Sequence, residues 1–348
     1  MRFAPAEEQL EFAATVRAAL DRTCTPADLR AAWGGELGAH VGTPGGDGRV
    51  PAAWDALTEI GALALAVGEE RGGLGLGDDH LVLLAVEVGR AGLPEPFSAS
   101  AGVAAGLLEL ASAEAAAADW SERLCGGARL GVGFGSRPLV PTARTLDAVV
   151  LLEEDRVLLA EAAELDLERV ESVDGARHLC RVLAAPGATV LLEGPAATTA
   201  TEVALDRAAV LDAAELVGLS RRMLELTVGY VSERQQFGVP VGSFQAIKHH
   251  LADASLAVEF AEPLVAVAAH RLARGERAGV EASMAKLRAS RAADQVARAA
   301  LQCHGAIAYT VEYDLHLYMK RSWALRRQHG SDDWHLARVR SALFDTSV

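Results

Sequence analysis

The sequence predicts an α+β chain in three parts: an N-terminal helical domain over residues 1–125, a reduced middle β domain over 126–202 and a C-terminal helical bundle over 203–348. Three observations predict it. Residues from about Ala6 to Trp120 are Ala- and Leu-rich with helical spacing, residues from Leu130 to Thr199 change to short β-prone runs, and helical periodicity returns from Leu205 more strongly than before. With 348 residues, 51% of them hydrophobic and 23% charged, the chain has ample material for a large core and is neither disordered nor a low-complexity polymer.

In the first part, glycine stretches at 34–48 and 72–77 interrupt the helical spacing and read as loops. In the second, Asp147 to Leu152, Arg156 to Leu159 and Cys180 to Leu183 are β-prone runs punctuated by Glu-Glu-Asp, Asp-Gly and Pro-Gly. In the third, Val210, Ala214, Val217, Leu224, Val228 and Val231 share one helical face. A second face steps by three or four from Ile247 through Leu251, Ala254, Val258, Ala261, Val265 and Ala268 to Leu272. A third runs Ala285, Ala289, Ala292, Val296, Ala299, Cys303. Small residues at these seams let helices approach closely, and let the bundle pack against another subunit.

Lys and Arg number 33 against 47 Asp and Glu, a formal net charge of −14 that disfavours nucleic acid and anionic membrane. A phosphate-bearing ligand must then meet local arginines or lysines. The four cysteines, Cys24, Cys125, Cys180 and Cys303, stand singly, as in a reduced chain without a disulfide frame or zinc site. The segment Met1 to Glu8 lacks the apolar stretch of a signal peptide, and no apolar run reaches the roughly 18 residues of a membrane span, so a cytoplasmic location is expected.

The most informative stretch runs from Tyr230 to Asp253. It ends one helix, passes Arg234-Gln235-Gln236-Phe237-Gly238-Val239-Pro240, and opens a new helix at Phe244-Gln245. A second stretch is Gln302-Cys303-His304-Gly305-Ala306-Ile307-Ala308-Tyr309-Thr310-Val311-Glu312, and a third is Glu70-Arg71-Gly72-Gly73-Leu74-Gly75-Leu76-Gly77. In order and spacing these resemble the acyl-CoA dehydrogenase family, over nearly the whole chain. The resemblance implies an N-terminal helical domain, a middle β domain and a C-terminal four-helix bundle, with FAD bound across a subunit interface and an acyl-CoA thioester as substrate. Arg234 would then meet the FAD pyrophosphate as a planar cationic fork, and Phe237 and Gln245 would contact the adenosine half, all three serving the neighbouring subunit's flavin. Gln302, Gly305 and Thr310 would mark the loop that offers backbone N–H groups to the dinucleotide.

Dehydrogenation of a thioester needs a carboxylate to take the α-proton while hydride leaves the β-carbon. The commonest family position for that base falls on Gly330, and an alternative position on the first bundle helix falls near Ala208. Neither is acidic. Asp212, one turn along the same helical face among Leu, Ala and Val, is the one base the sequence nominates; Glu215 nearby reads as structural.

The middle domain also departs from the family. Gly133 to Val140 runs almost directly into Asp147, so the hairpin that touches the flavin ring is expected to be missing, and Ala306 and Ala308 stand where the family has glycines. Interface residues kept beside a damaged ring site fit a subunit of a heteromeric α2β2 enzyme that introduces an α,β double bond with a second family member. The alternatives are a homo-oligomer, a non-catalytic subunit that completes a partner's FAD site, and a redirected flavin oxidase or oxygenase. The histidines His249 and His250 with Asp253 are expected on a helix and not as metal ligands, and the basic group Lys320, Arg321, Arg326 and Arg327 as a salt-bridged helix end.

Overall fold

Among the residues the structure describes, helical spacing at the N-terminus becomes six helices. In the computed structural model, which describes residues 5–33 and 46–344, they are α1 (Glu7–Thr23), α2 (Pro26–Trp33), α3 (Pro51–Glu59), α4 (Asp78–Ala91), α5 (Ala105–Leu110) and α6 (Ala115–Cys125). A π-helical segment, Ser98–Ala104, runs into α5. The glycine stretch at 72–77 is a loop, with Gly72 at φ +84° and Gly75 at φ +61°, conformations that side chains resist. Most of the other stretch, residues 34–45, lies outside the described residues, as do the chain ends at 1–4 and 345–348.

The β region holds seven strands: β1 (Leu130–Phe134), β2 (Leu139–Val140), β3 (Ala148–Leu152), β4 (Arg156–Glu161), β5 (Asp166–Arg169), β6 (Cys180–Ala184) and β7 (Thr189–Glu193). One sheet has the order β1-β3-β4-β7, with β1 parallel to β3; the other has the order β2-β6-β5. Side chains alternate across a strand, and β3 uses both faces. Ala148, Val150 and Leu152 join the main core beneath the helices, while Val149 and Leu151 face a smaller core between the two sheets with Leu158, Cys180 and Val182. Between Phe134 and Asp147 lie only the two-residue β2 and a 3-10 turn, Ala143–Thr145, a short connection of the kind expected there.

The C-terminal region begins earlier than residue 203. Its first helix, α7 (Gly194–Glu233), is 40 residues long, and every residue from Ala208 to Ser220 is buried. A helix covered on all sides is the spine of its domain. Close packing against α4 depends on glycine: a Cβ on Gly218 would stand 1.9 Å from the Val86 carbonyl oxygen, and one on Gly89 would stand 2.2 Å from that of Glu215. After α7 come the hairpin strands β8 (Gln235–Gln236) and β9 (Val239–Pro240), then α8 (Gln245–Glu259), α9 (Glu262–Ala273), α10 (Gly279–His304), α11 (Leu315–Leu325) and α12 (Asp332–Phe344). The apolar face expected to be continuous from Ile247 to Leu272 is divided between α8 and α9, where Pro263 opens the second helix in its first turn. Val228, expected within a buried face, is exposed.

Candidate functional site

The residues singled out by the sequence fall in two places. One is a buried cleft between the start of the π-helical segment, the middle of α7, the β region and the loop after α11. Its cavity is about 60 Å³, lined by residues that include Ser98, Asp174, Arg177, Asp212, Glu215 and His329. That is room for about two waters, against the roughly 300–1,000 Å³ of ordinary ligand pockets.

Asp212 lies in this cleft at 2% exposure. Its Oδ2 accepts Lys286 Nζ at 2.9 Å and stands 2.9 Å from His329 Nδ1. Burial alone would raise its pKa, but Lys286 and His329 outweigh burial and hold it below the usual carboxylate value. Lys286, fully buried on α10, also donates to the Leu325 and Gln328 carbonyls at 2.7 Å each. Its three donors are thereby matched to three acceptors. A carboxylate bound this way is a poor proton acceptor, because protonation would leave a buried ammonium without its counter-charge.

The sequence did not single out Lys286, although a lysine spaced among Ala282, Ala285 and Ala289 on an alanine-lined helix is a readable sign of a buried cation. Glu215 differs from every other acid in the cleft. Glu95 is paired with Arg129 at 2.8 Å, and Asp174 with Arg321 at 3.3 Å. Glu215 takes a 2.5 Å hydrogen bond from the Ser98 hydroxyl, and among the described residues no cation stands within ion-pair distance of it. Burial raises its pKa to about 7, against the opposing pull of Arg321 and Ser98.

The other place is the exposed end of the bundle. Arg234 terminates α7, its N–H bonded to the Tyr230 carbonyl at 2.9 Å, and its guanidinium has no carboxylate partner among the described residues. In the hairpin that follows, Phe237 has φ +54° and Gly238 φ +80°, so both central residues of the two-residue loop are left-handed, as a type I′ turn requires. Phenylalanine is a costly choice there, and its ring is 93% exposed, touched edge-on by Phe244 at 6.2 Å between centroids. Gln245, exposed, opens α8 immediately afterwards.

The second motif arrives at the same end. The Tyr230 ring, one turn before Arg234, stacks on His304 at 4.5 Å, and Tyr313 meets both rings. Gln302 is exposed on the last turn of α10. Gly305 takes φ +66° and ψ −140°, essentially open only to glycine, with nothing within 4 Å of where a Cβ would be. Thr310 turns its hydroxyl inward to the Ile307 carbonyl at 2.9 Å. The alanines at 306 and 308 bring no strain, since both sit in a 3-10 turn, Gly305–Tyr309, in which Gly305 alone has positive φ. Three members of the basic group after them are absorbed internally, and the fourth, Arg327, is exposed. Arg321 pairs with Asp174, Arg326 with Asp294 and Asp332, and Lys320 lies over the Trp33 ring.

Three-part architecture and two convergent motifs are thus both present, and comparison with known proteins agrees. A model of the acyl-CoA dehydrogenase N-terminal domain matches residues 6–128, and one of the acyl-CoA dehydrogenase C-terminal domain matches residues 197–344. The chain belongs to the acyl-CoA dehydrogenase family. Members of this family are oxidoreductases. The chain is 32% identical over 341 residues to acyl-CoA dehydrogenase IpdE2 of Mycolicibacterium smegmatis, covering 97% of this chain and 99% of that protein. Two solved structures share the acyl-CoA dehydrogenase fold over the full length. The ChsE4–ChsE5 complex of Mycobacterium tuberculosis superposes with a TM-score of 0.86 at 20% identity, covering 100% of both chains. A Tcur3481–Tcur3483 steroid acyl-CoA dehydrogenase variant gives 0.83 at 24%, covering 97% of this chain and 98% of that one. No helix among the described residues is long and apolar enough to cross a membrane.

Proposed function

We propose that this chain is a subunit of a heteromeric, FAD-dependent acyl-CoA dehydrogenase that introduces an α,β double bond into an acyl-CoA thioester, and that its own contribution is to clamp a dinucleotide whose ring is seated in a second subunit. One observation carries this: the clamp residues are presented to the outside while the chain's own cleft is closed. Arg234 offers an unpaired planar cation to a pyrophosphate, Phe237 offers a bare aromatic face to an adenine, and Gly305 leaves its backbone open to close approach. These residues fit the dinucleotide half of FAD. A cavity of about 60 Å³ does not fit the flavin ring, so no step is assigned to a flavin in this chain's cleft.

When bound, FAD would supply the hydride acceptor for the β-carbon. In this chain Asp212 serves as the counter-charge of Lys286, so the base for the α-proton would have to come from the second subunit. Two neighbours of the same fold come from two-component assemblies, ChsE4–ChsE5 and Tcur3481–Tcur3483, which supports extending that organisation to this chain.

Co-expression tests it. Produced alone, the chain is expected to be colourless; produced with an acyl-CoA dehydrogenase-like chain encoded beside it, it is expected to purify as a yellow complex that acyl-CoA reduces. A yellow homo-oligomer of this chain alone, with acyl-CoA turnover, overturns the proposal. Asp212→Asn should lower the stability of the complex but leave the turnover of its folded, flavin-loaded fraction near normal, whereas complete loss of turnover with fold and flavin retained would return Asp212 to the role of base.

A further inference from the structure

The cleft is closed by identifiable residues. Between β5 and β6 the chain makes a turn, Asp174-Gly175-Ala176-Arg177, that belongs to the β region but packs onto helices. Asp174 first fixes the turn itself, its Oδ1 accepting the Ala176 N–H at 3.1 Å. Its other oxygen takes Arg321 Nη1 of α11 at 3.3 Å. Gly175 lies so close to Trp33 of α2 that a Cβ would come within 2.7 Å of the indole. The Arg177 carbonyl accepts the Thr142 N–H at 2.8 Å, and its guanidinium donates to Gln328 Oε1.

Gln328 is itself held, because Lys286 Nζ grips the Gln328 and Leu325 carbonyls. The turn is therefore anchored to α2, to α11, to the loop after α11 and to the segment after β2. A ring site lost by simple decay would leave an apolar void or a pool of water. Here Asp174, Arg177 and Gln328 line the cleft instead, tied across it by the Asp174–Arg321 and Arg177–Gln328 bonds.

We infer that residues 174–177 are a built plug that keeps a flavin ring out of this chain's own cleft, with Arg177 as its tip and Gln328 as its catch. The inference rests on the proposed clamp role and adds the residues that enforce it. It also assigns a purpose to a costly arrangement, since burial draws the Arg177 guanidinium down from its ordinary pKa. In an assembly, the plug directs the isoalloxazine to the partner's cleft and leaves this chain only the dinucleotide.

Lumiflavin, the flavin ring without its dinucleotide, tests the plug and is blind to the clamp. Quenching of its fluorescence is titrated with the full-length chain, wild type and Arg177→Ala. The wild type should show no saturable quenching, and Arg177→Ala should bind at least about tenfold more tightly than any residual wild-type signal. Gln328→Ala, which removes only the receiving amide, keeps the test decisive if Arg177→Ala does not fold, and should open the site in the same direction. Saturable binding by the wild type overturns the inference, and so does the absence of binding by a folded variant. Failure of the clamp proposal would appear separately, as flavin bound to the chain without a partner or as no flavin in the complex.

Discussion

The cleft and the exposed bundle end are built from similar residue types and put them to opposite use. In the cleft, Asp212, Lys286, Arg177 and Asp174 each find a partner within the chain. At the bundle end, Arg234 and Phe237 find almost none. Charge satisfied internally supports architecture and is expensive to break. Charge and aromatic surface left unpartnered, on a backbone held in an unfavourable conformation, is a feature of recognition. The contrast teaches that the charges of the cleft are spent on holding this chain together, whereas the bundle end leaves a cation and an aromatic ring without partners in it.

Lys286→Met probes the structural side with the largest expected effect. It strands Asp212 in the core, so unfolding by urea should show a loss of about 3–5 kcal/mol. Adding Asp212→Leu should recover most of that loss, because an apolar pair has no charge to desolvate. If Lys286→Met costs nothing measurable, the cleft is not held by this pair.

Glu215 gives a comparable effect that depends on pH. Its folded pKa, about 7, lies above the 4.5 of an ordinary glutamate, so the folded state binds its proton more tightly than the unfolded state. The penalty is absent below pH 4.5, grows as pH rises to 7 and is constant above. Raising the proton affinity from that of an ordinary glutamate to about 7 corresponds to about 3 kcal/mol. Glu215→Gln should therefore stabilise the chain by about that amount at pH 8 and by almost nothing at pH 4. A stability difference that is the same at both values would show that Glu215 is not buried as a titrating acid. His335, drawn down to about 4 by burial and Lys286, affects both proteins alike and cancels from the difference.

Arg234→Ala moves to the other side of the comparison. A charged hydrogen bond to phosphate contributes about 1.5–3 kcal/mol, so flavin affinity of the co-expressed complex should fall by about ten- to a hundredfold while the fold of this chain is unchanged. Arg177→Ala in the same complex should leave that affinity as it was. Equal loss from both substitutions would erase the distinction between the two regions.

How much of this was legible follows from where the residues sit in the chain. The proposed clamp is local: Arg234, Phe237 and Gln245 fall within twelve consecutive residues, and Gln302 to Thr310 within nine, so they read as continuous motifs whose roles the family resemblance implies. Helical faces and β runs were equally readable, because a buried face repeats with the period of its own element. The cleft is assembled from distant segments, with Arg177, Asp212, Lys286 and Gln328 on four different elements or loops. Asp212 could be noticed as an acid on an apolar face, but its partner lay 74 residues away, and nothing local distinguishes an acid that waits for a proton from one that neutralises a lysine. The division between α8 and α9 is hidden from periodicity, although Pro263 marks it, since the apolar steps continue across the break.

The smallest effect separates stability from recognition at a single position. Phe237 occupies the first left-handed position of the β8–β9 turn, where a bulky L-residue costs roughly 1–2 kcal/mol and Asn tolerates the geometry. Its ring is almost wholly exposed and recovers little of that cost by burial within this chain. Phe237→Asn creates the Asn-Gly pair that type I′ turns favour, so thermal or urea unfolding of the isolated chain should show a gain of about 0.5–1 kcal/mol. The same substitution removes the aromatic face offered to the dinucleotide, and the co-expressed complex should hold flavin less tightly. A variant that is both more stable and equally tight would mean that Phe237 serves no ligand, leaving its strained and exposed position without a physical reason.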